Sequence, residues 1–165
     1  MPDDLYGRDI LEWSAREAER LRRLSRGERV NEVDWENVIE EVEGVGRSEL
    51  ASVASLLARA VEHLMKVAGW PDSRDVEHWL GEARVFLADA EARFSPSMRR
   101  SLDMAAIWRR ALRTVRPRVV DGRPPLALPD ECPFALDDLL DEGADARALA
   151  GRVRLAADDP PGRPR

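Results

Sequence analysis

The sequence predicts an all-α chain: an up-and-down bundle of about five helices with an extended, proline-containing C-terminal strap and a short final helix. Three observations carry that expectation. Apolar residues recur at spacings of three and four from residue 4 to residue 116, no stretch shows the strict alternation of a half-buried strand, and the breaks between periodic stretches are short. Helices of about 20 residues are roughly 30 Å long. Joining such helices through short connections favours antiparallel neighbours.

The first helix is expected at about residues 4–26, where Ile10, Trp13, Ser14, Ala18, Leu21 and Leu24 share a stripe and Gly27 stands where a C-terminal cap belongs. A second opens at Asp34, whose carboxylate can cap the first turn while Val33 and Val38 form a hydrophobic staple. Its buried face is read as Trp35, Val38, Ile39 and Val42. Gly44-Val45-Gly46 is expected to interrupt it, and Ser48 to cap a third helix running to about Gly69. Leu50, Val53, Ala54, Leu57, Val61 and Leu64, with Leu56, Ala60 and Val67 beside them, make that helix the most buried of the set. Trp70-Pro71 stops it, because proline lacks a donor and disfavours helix for the residue before it. The fourth helix, about 74–94, carries Val76, Trp79, Leu80, Ala83, Phe86, Leu87 and Ala90. Ser95-Pro96 opens a fifth, to about residue 116, burying Leu102, Ala105, Trp108, Leu112 and Val115.

Five prolines between Pro117 and Pro133 exclude a helix there and indicate a strap. A short helix at about 135–140 is anchored by Phe134, Leu136, Leu139 and Leu140. The expected organisation is one helical-bundle domain over 1–141, then a weakly structured to disordered tail over 142–165. A chain of 165 residues and 18.6 kDa can bury an ordinary core without staples. Cys132 is the only cysteine, which excludes an internal disulfide and a cysteine-based zinc cage and fits a reducing cytoplasm. With no apolar run long enough to span a bilayer and no leader-like start, neither secretion nor membrane insertion is expected.

Asp34-Trp35-Glu36-Asn37, followed by Glu40-Glu41, Glu43 and Gly46-Arg47-Ser48-Glu49, resembles a bacterial family known as domain of unknown function 29. Asp9, Trp13, His63-Leu64, Lys66, Trp79 and Pro96-Ser97 extend the resemblance, which ends in Glu131-Cys132-Pro133-Phe134 and Leu139-Leu140-Asp141. Val67-Ala68 depart from the aromatic and polar pair common there. The resemblance implies an all-helical bundle and assigns no catalytic or binding residue.

Among chemical possibilities, a carboxylate-bridged metal site would have to draw on Glu40, Glu41, His63, Asp75 and His78. The spacing is poor, since only Asp75 and His78 stand three apart and Glu-x-x-His pairs are missing. No metal or other cofactor is expected. His63 falls on the line of Leu56, Ala60 and Val67, as a half-buried core histidine would, and Lys66 stands four residues after Glu62, as in a helix ion pair. Gly44-Val45-Gly46 lacks the third glycine and preceding strand of a phosphate loop, and no nucleophile elbow exists. The tryptophans at 13, 35, 79 and 108 fall on apolar stripes, whereas Trp70 at a helix end is read as exposed. Asp34, Asn37, Glu41 and His63 are read as a polar cluster serving buried indoles or facing a cleft.

Charge is unevenly placed. Seven acids face one arginine over Glu28–Glu43, seven acids and no base occupy Asp130–Asp145, and eight arginines stand against two aspartates over Arg99–Arg123. Two readings follow for the arginines: the acidic segment folds back over them, or they meet a partner. The net charge of −6 disfavours nucleic acid. The expected function is therefore a non-enzymatic protein-binding or assembly module, with a protein partner or self-association at Arg109, Arg110 and Arg113. The alternatives are a metal-dependent enzyme using carboxylates and histidine, and a nucleic-acid binder using the fifth helix.

Overall fold

The computed structural model describes residues 5–158. Apart from one isolated bridge between Val120 and Arg123, their regular structure is helical. The α-helices are α1 Leu5–Arg8, α2 Ile10–Ser25, α3 Trp35–Gly69, α4 Val76–Arg93, α5 Met104–Val115, α6 Leu136–Leu140 and α7 Ala146–Asp158, with a 3-10 turn at Pro96–Arg100. Where one domain was expected, these residues fall into two compact units divided between Ser48 and Glu49.

In the first unit, Asp9 divides the expected first helix in two: its carboxylate accepts the Glu12 N–H at 3.0 Å and so caps α2. Gly27, at φ +79°, ends α2 as the sequence suggested. Trp13 and Glu17 are buried on α2, and Leu5 on α1. Asp34 precedes α3 and its Oδ1 faces the Asn37 N–H of the first turn.

Two expectations for this stretch are corrected. Gly44-Val45-Gly46 does not interrupt the helix; α3 runs unbroken for 35 residues. A glycine in a helix costs about 1 kcal/mol relative to alanine, too little to stop a helix with strong formers on both sides. The face read as buried is also largely open, with Trp35 54%, Ile39 55% and Val42 70% exposed.

The second unit is built on the C-terminal part of α3, where Val53, Leu57, Ala60, Val61 and Leu64 are fully buried. Trp79, Leu80, Ala83 and Leu87 of α4, Trp108, Ala111 and Val115 of α5, Leu139 of α6 and Leu149 and Val153 of α7 join the same core. α5 begins later than expected, because Asp103 and not Ser95 caps it, accepting the Ala106 N–H at 3.0 Å. The strap lacks α-helix from residue 116 to 135, as five prolines require.

Trp70 is a further correction: it is buried, and its Nε1–H donates to the Arg123 carbonyl at 2.8 Å. Its neighbour Gly69 lies so close to the strap that an added Cβ would stand 2.9 Å from Pro125 Cβ. The segment from residue 142, expected as a tail, contains α7, whose Ala146, Leu149, Ala150 and Val153 are buried. The end of the expected tail, 159–165, and Asp4 at the start of the expected first helix lie outside the described residues.

Candidate functional site

The amphipathic pattern of α5 turns Trp108, Ala111, Leu112 and Val115 inward, which leaves Arg109, Arg110 and Arg113 exposed on the opposite side. The strap runs beside this helix. Trp108 Nε1–H donates to the Pro129 carbonyl at 3.1 Å, and Arg116 Nη2 donates to the Leu128 carbonyl at 3.2 Å and to Asp130 Oδ1 at 2.5 Å. Between helix and strap lies an open groove of about 400 Å³ lined by Arg109, Leu112, Arg113, Arg116 and Asp130. A second groove, which shares Arg109 and Asp130 with the first, is lined also by Trp108, Glu131 and Cys132.

Three carboxylates of the acidic segment pair with other arginines. Asp137 pairs with Arg99 at 2.7 Å, and Asp138 takes both terminal nitrogens of Arg152 at 2.9 Å, while Asp130 holds Arg116. The Arg152 guanidinium, followed by the Ala135 N–H, holds the Asp138 carboxyl below the usual range. Among the described residues, Arg109, Arg110 and Arg113 have no ion-pair partner.

The polar cluster read from the sequence is only partly assembled. Asn37 Nδ2 donates to Asp34 Oδ2 at 2.7 Å, and the buried Trp13 Nε1–H donates to the same oxygen at 3.1 Å. The Asn37 hydrogen bond, with that of Trp13, holds the Asp34 carboxyl below its ordinary value despite opposing desolvation. Glu41 accepts the Tyr6 hydroxyl at 2.7 Å, and Tyr6 packs edge-on against Trp13. The Glu41 hydrogen bond, ahead of desolvation, pushes the Tyr6 phenol up to about 12.

His63 takes its partners within α3 instead. Its Nδ1 stands 2.9 Å from the Arg59 carbonyl and its Nε2 3.3 Å from Lys66 Nζ. Burial, followed by the Lys66 charge, pulls the imidazole below its ordinary value. Desolvation, followed by Arg118, does the same to Lys66. The expected ion pair of Lys66 with Glu62 is thus replaced by a bond to the ring.

Sequence reasoning missed Glu17, which is buried, accepts the Asp34 N–H at 3.1 Å and is paired with Arg20 at 2.5 Å. The available signal was its place one helical turn after Trp13, on the same face. The proposed metal residues do not converge: among the described residues no group of three or more histidine, cysteine or acidic side chains is placed to hold an ion. Nor is any helix there long and apolar enough to cross a membrane.

The family described as Domain of unknown function DUF29 matches over residues 5–144, most of the chain. The chain belongs to that family. No curated protein matches this DUF29 chain. Among solved structures it is similar to an α-helical protein of unknown function from Rhodospirillum rubrum. The two are 29% identical with a TM-score of 0.70, over 90% of this chain and 96% of that one.

Proposed function

We propose that this chain is a non-enzymatic binding or assembly module, and that the arginine face of α5 receives a protein partner presenting carboxylates. The observation that carries this reading is a contrast along the acidic segment. Asp130, Asp137 and Asp138 are engaged by Arg116, Arg99 and Arg152, so Arg109, Arg110 and Arg113 stay open. Guanidinium groups present forked donors that match carboxylates, and an unpaired charged face steers association and sets specificity. Asp130 in this groove and Glu131 in the adjoining one oppose a polyphosphate, as does the net charge of −6. The one half-buried thiol suits a reducing compartment such as the cytoplasm.

The test is recovery of partners from a source-cell lysate by the tagged chain and by its Arg109→Gln, Arg110→Gln, Arg113→Gln variant, each with and without nuclease. The variant should lose its protein partners while its melting temperature stays nearly unchanged, because exposed charges contribute little to stability. Unaltered recovery by the variant would overturn the reading. Recovery abolished by nuclease would reassign the face to nucleic acid.

A further inference from the structure

We infer that the partner of the arginine face is a second copy of this chain, engaged through the first half of its α3. The inference rests on the reading of α5 given above and names the occupant of that face. Trp35, Ile39 and Val42 stand at i, i+4 and i+7 on α3 and are all more than half exposed. Single exposed apolar residues are ordinary, but three in one helical stripe make a contiguous patch of the kind that marks an interaction site.

The charge beside the stripe indicates what covers it. Each stripe residue is followed by an exposed acid, Glu36, Glu40 and Glu43, so the three carboxylates line one flank at the same i, i+4, i+7 spacing. On α5, Arg109, Arg113 and Arg116 repeat that spacing. At 1.5 Å per residue both ladders rise by about 6 Å and then about 4.5 Å. Two such helices lying parallel therefore bring Glu36 to Arg109, Glu40 to Arg113 and Glu43 to Arg116 in one register. Arg116 would share its exposed pair with Asp130, and Glu43 its exposed pair with Arg47, contacts of the kind that exchange readily at a surface. The aliphatic stems of the arginines give Ile39 and Val42 an apolar surface to cover, and the Trp35 ring can stack on a guanidinium. A two-fold contact of α3 with α3 would instead set acid flank against acid flank, which is disfavoured.

The two surfaces differ, so the contact is heterologous: each copy offers one of each kind, and assembly proceeds head to tail into a ring or an open row. The experiment is sedimentation of the intact chain over a concentration series at low and high salt. It includes an α3 variant, Glu36→Arg, Glu40→Arg, Glu43→Arg, and an α5 variant, Arg109→Glu, Arg113→Glu, both checked for native helicity. The wild type should at least double its apparent mass as concentration rises at low salt, and revert at high salt as screening requires. Each variant alone should remain monomeric. An equimolar mixture should associate again, because each reversed surface finds its complement.

A monomeric wild type at every concentration, or a mixture that stays monomeric, overturns the inference, as does association that persists in either variant alone. A monomeric wild type that still recovers protein partners through Arg109, Arg110 and Arg113 removes only the second copy as occupant. Loss of that recovery as well removes the binding reading itself.

Discussion

Lys66 donates its ammonium proton to Nε2 of His63 at 3.3 Å, and this bond fixes the imidazole tautomer. With Nε2 accepting, the ring proton sits on Nδ1 and is donated to the Arg59 carbonyl. Both nitrogens are satisfied only while the ring is neutral. Protonation would turn Nε2 into a donor facing an ammonium, beside Arg59 and within reach of the opposing charges of Glu62 and Glu82.

A pH dependence follows from that geometry. Burial depresses the imidazole pKa in the folded chain, so the unfolded chain binds its proton at a higher pH. Stability from this group is therefore present above the unfolded value of about 6.5. It is lost as pH falls from there through the depressed folded value. Denaturant midpoints should fall over this window in the wild type and less steeply in His63→Gln. Parallel curves for the two proteins would show that the ring does not titrate in this way.

The tryptophans should separate by burial. Trp108 is fully buried with its N–H bonded to Pro129, and Trp108→Ala should cost about 3 to 5 kcal/mol by leaving a cavity. Trp35→Ala should cost less than about 1 kcal/mol, as a surface change away from the core does. Urea titration of both variants checks the contrast.

Two glycines of α3 should respond in opposite directions to alanine. A Cβ at Gly44 meets only Arg47 Nη2, at an ordinary 3.8 Å, so Gly44→Ala should stabilise by roughly 0.5 to 1 kcal/mol through better helix propensity. At Gly69 the added Cβ would press on the rigid ring of Pro125, and Gly69→Ala should destabilise by about 1 to 3 kcal/mol, the range for overpacking. Melting temperatures that move together would contradict the close approach at Gly69.

Tyr6 is the only tyrosine, so its ionisation can be read directly in the ultraviolet. The phenolate band should emerge near pH 12, because a phenolate would lose the donor that Glu41 accepts and would face its charge. Glu41→Gln removes the charge and should bring the titration back toward the ordinary value of about 10. A wild type titrating near the ordinary value would show that this bond does not persist in solution.

What could be read in advance was whatever depends on local chemistry. Pro71 and the five prolines from Pro117 to Pro133 mark ends that backbone geometry enforces, and Gly27 and Asp34 mark caps. Where two local signals compete, the glycines are the weaker: Gly44 and Gly46 point to a break, but their helix cost is small against the run that continues through Leu50 and Val53. α7 escapes the periodicity because half of its inward positions are alanines, at 146 and 150, a weak apolar signal that leaves only Leu149 and Val153 as anchors. For the candidate site, periodicity identified Trp35, Ile39 and Val42 as one face but could not say whether this chain covers it. The arginine cluster of α5 was equally visible. That the strap holds Arg116 and leaves Arg109, Arg110 and Arg113 open depends on how Asp130 is positioned, which no spacing in the sequence encodes.

Lys66 is the only lysine in the chain, and its amine is half-buried and hydrogen-bonded to His63. Reagents aimed at lysine side chains, whether amine-reactive dyes, biotin esters or bis-ester cross-linkers, therefore find a single shielded target and will under-report any contact this protein makes. Its chemistry for mapping neighbours lies in carboxylates and guanidiniums. Carbodiimide activation of Glu36, Glu40 and Glu43, or dicarbonyl labelling of Arg109 and Arg113, addresses the surfaces that lysine reagents pass over.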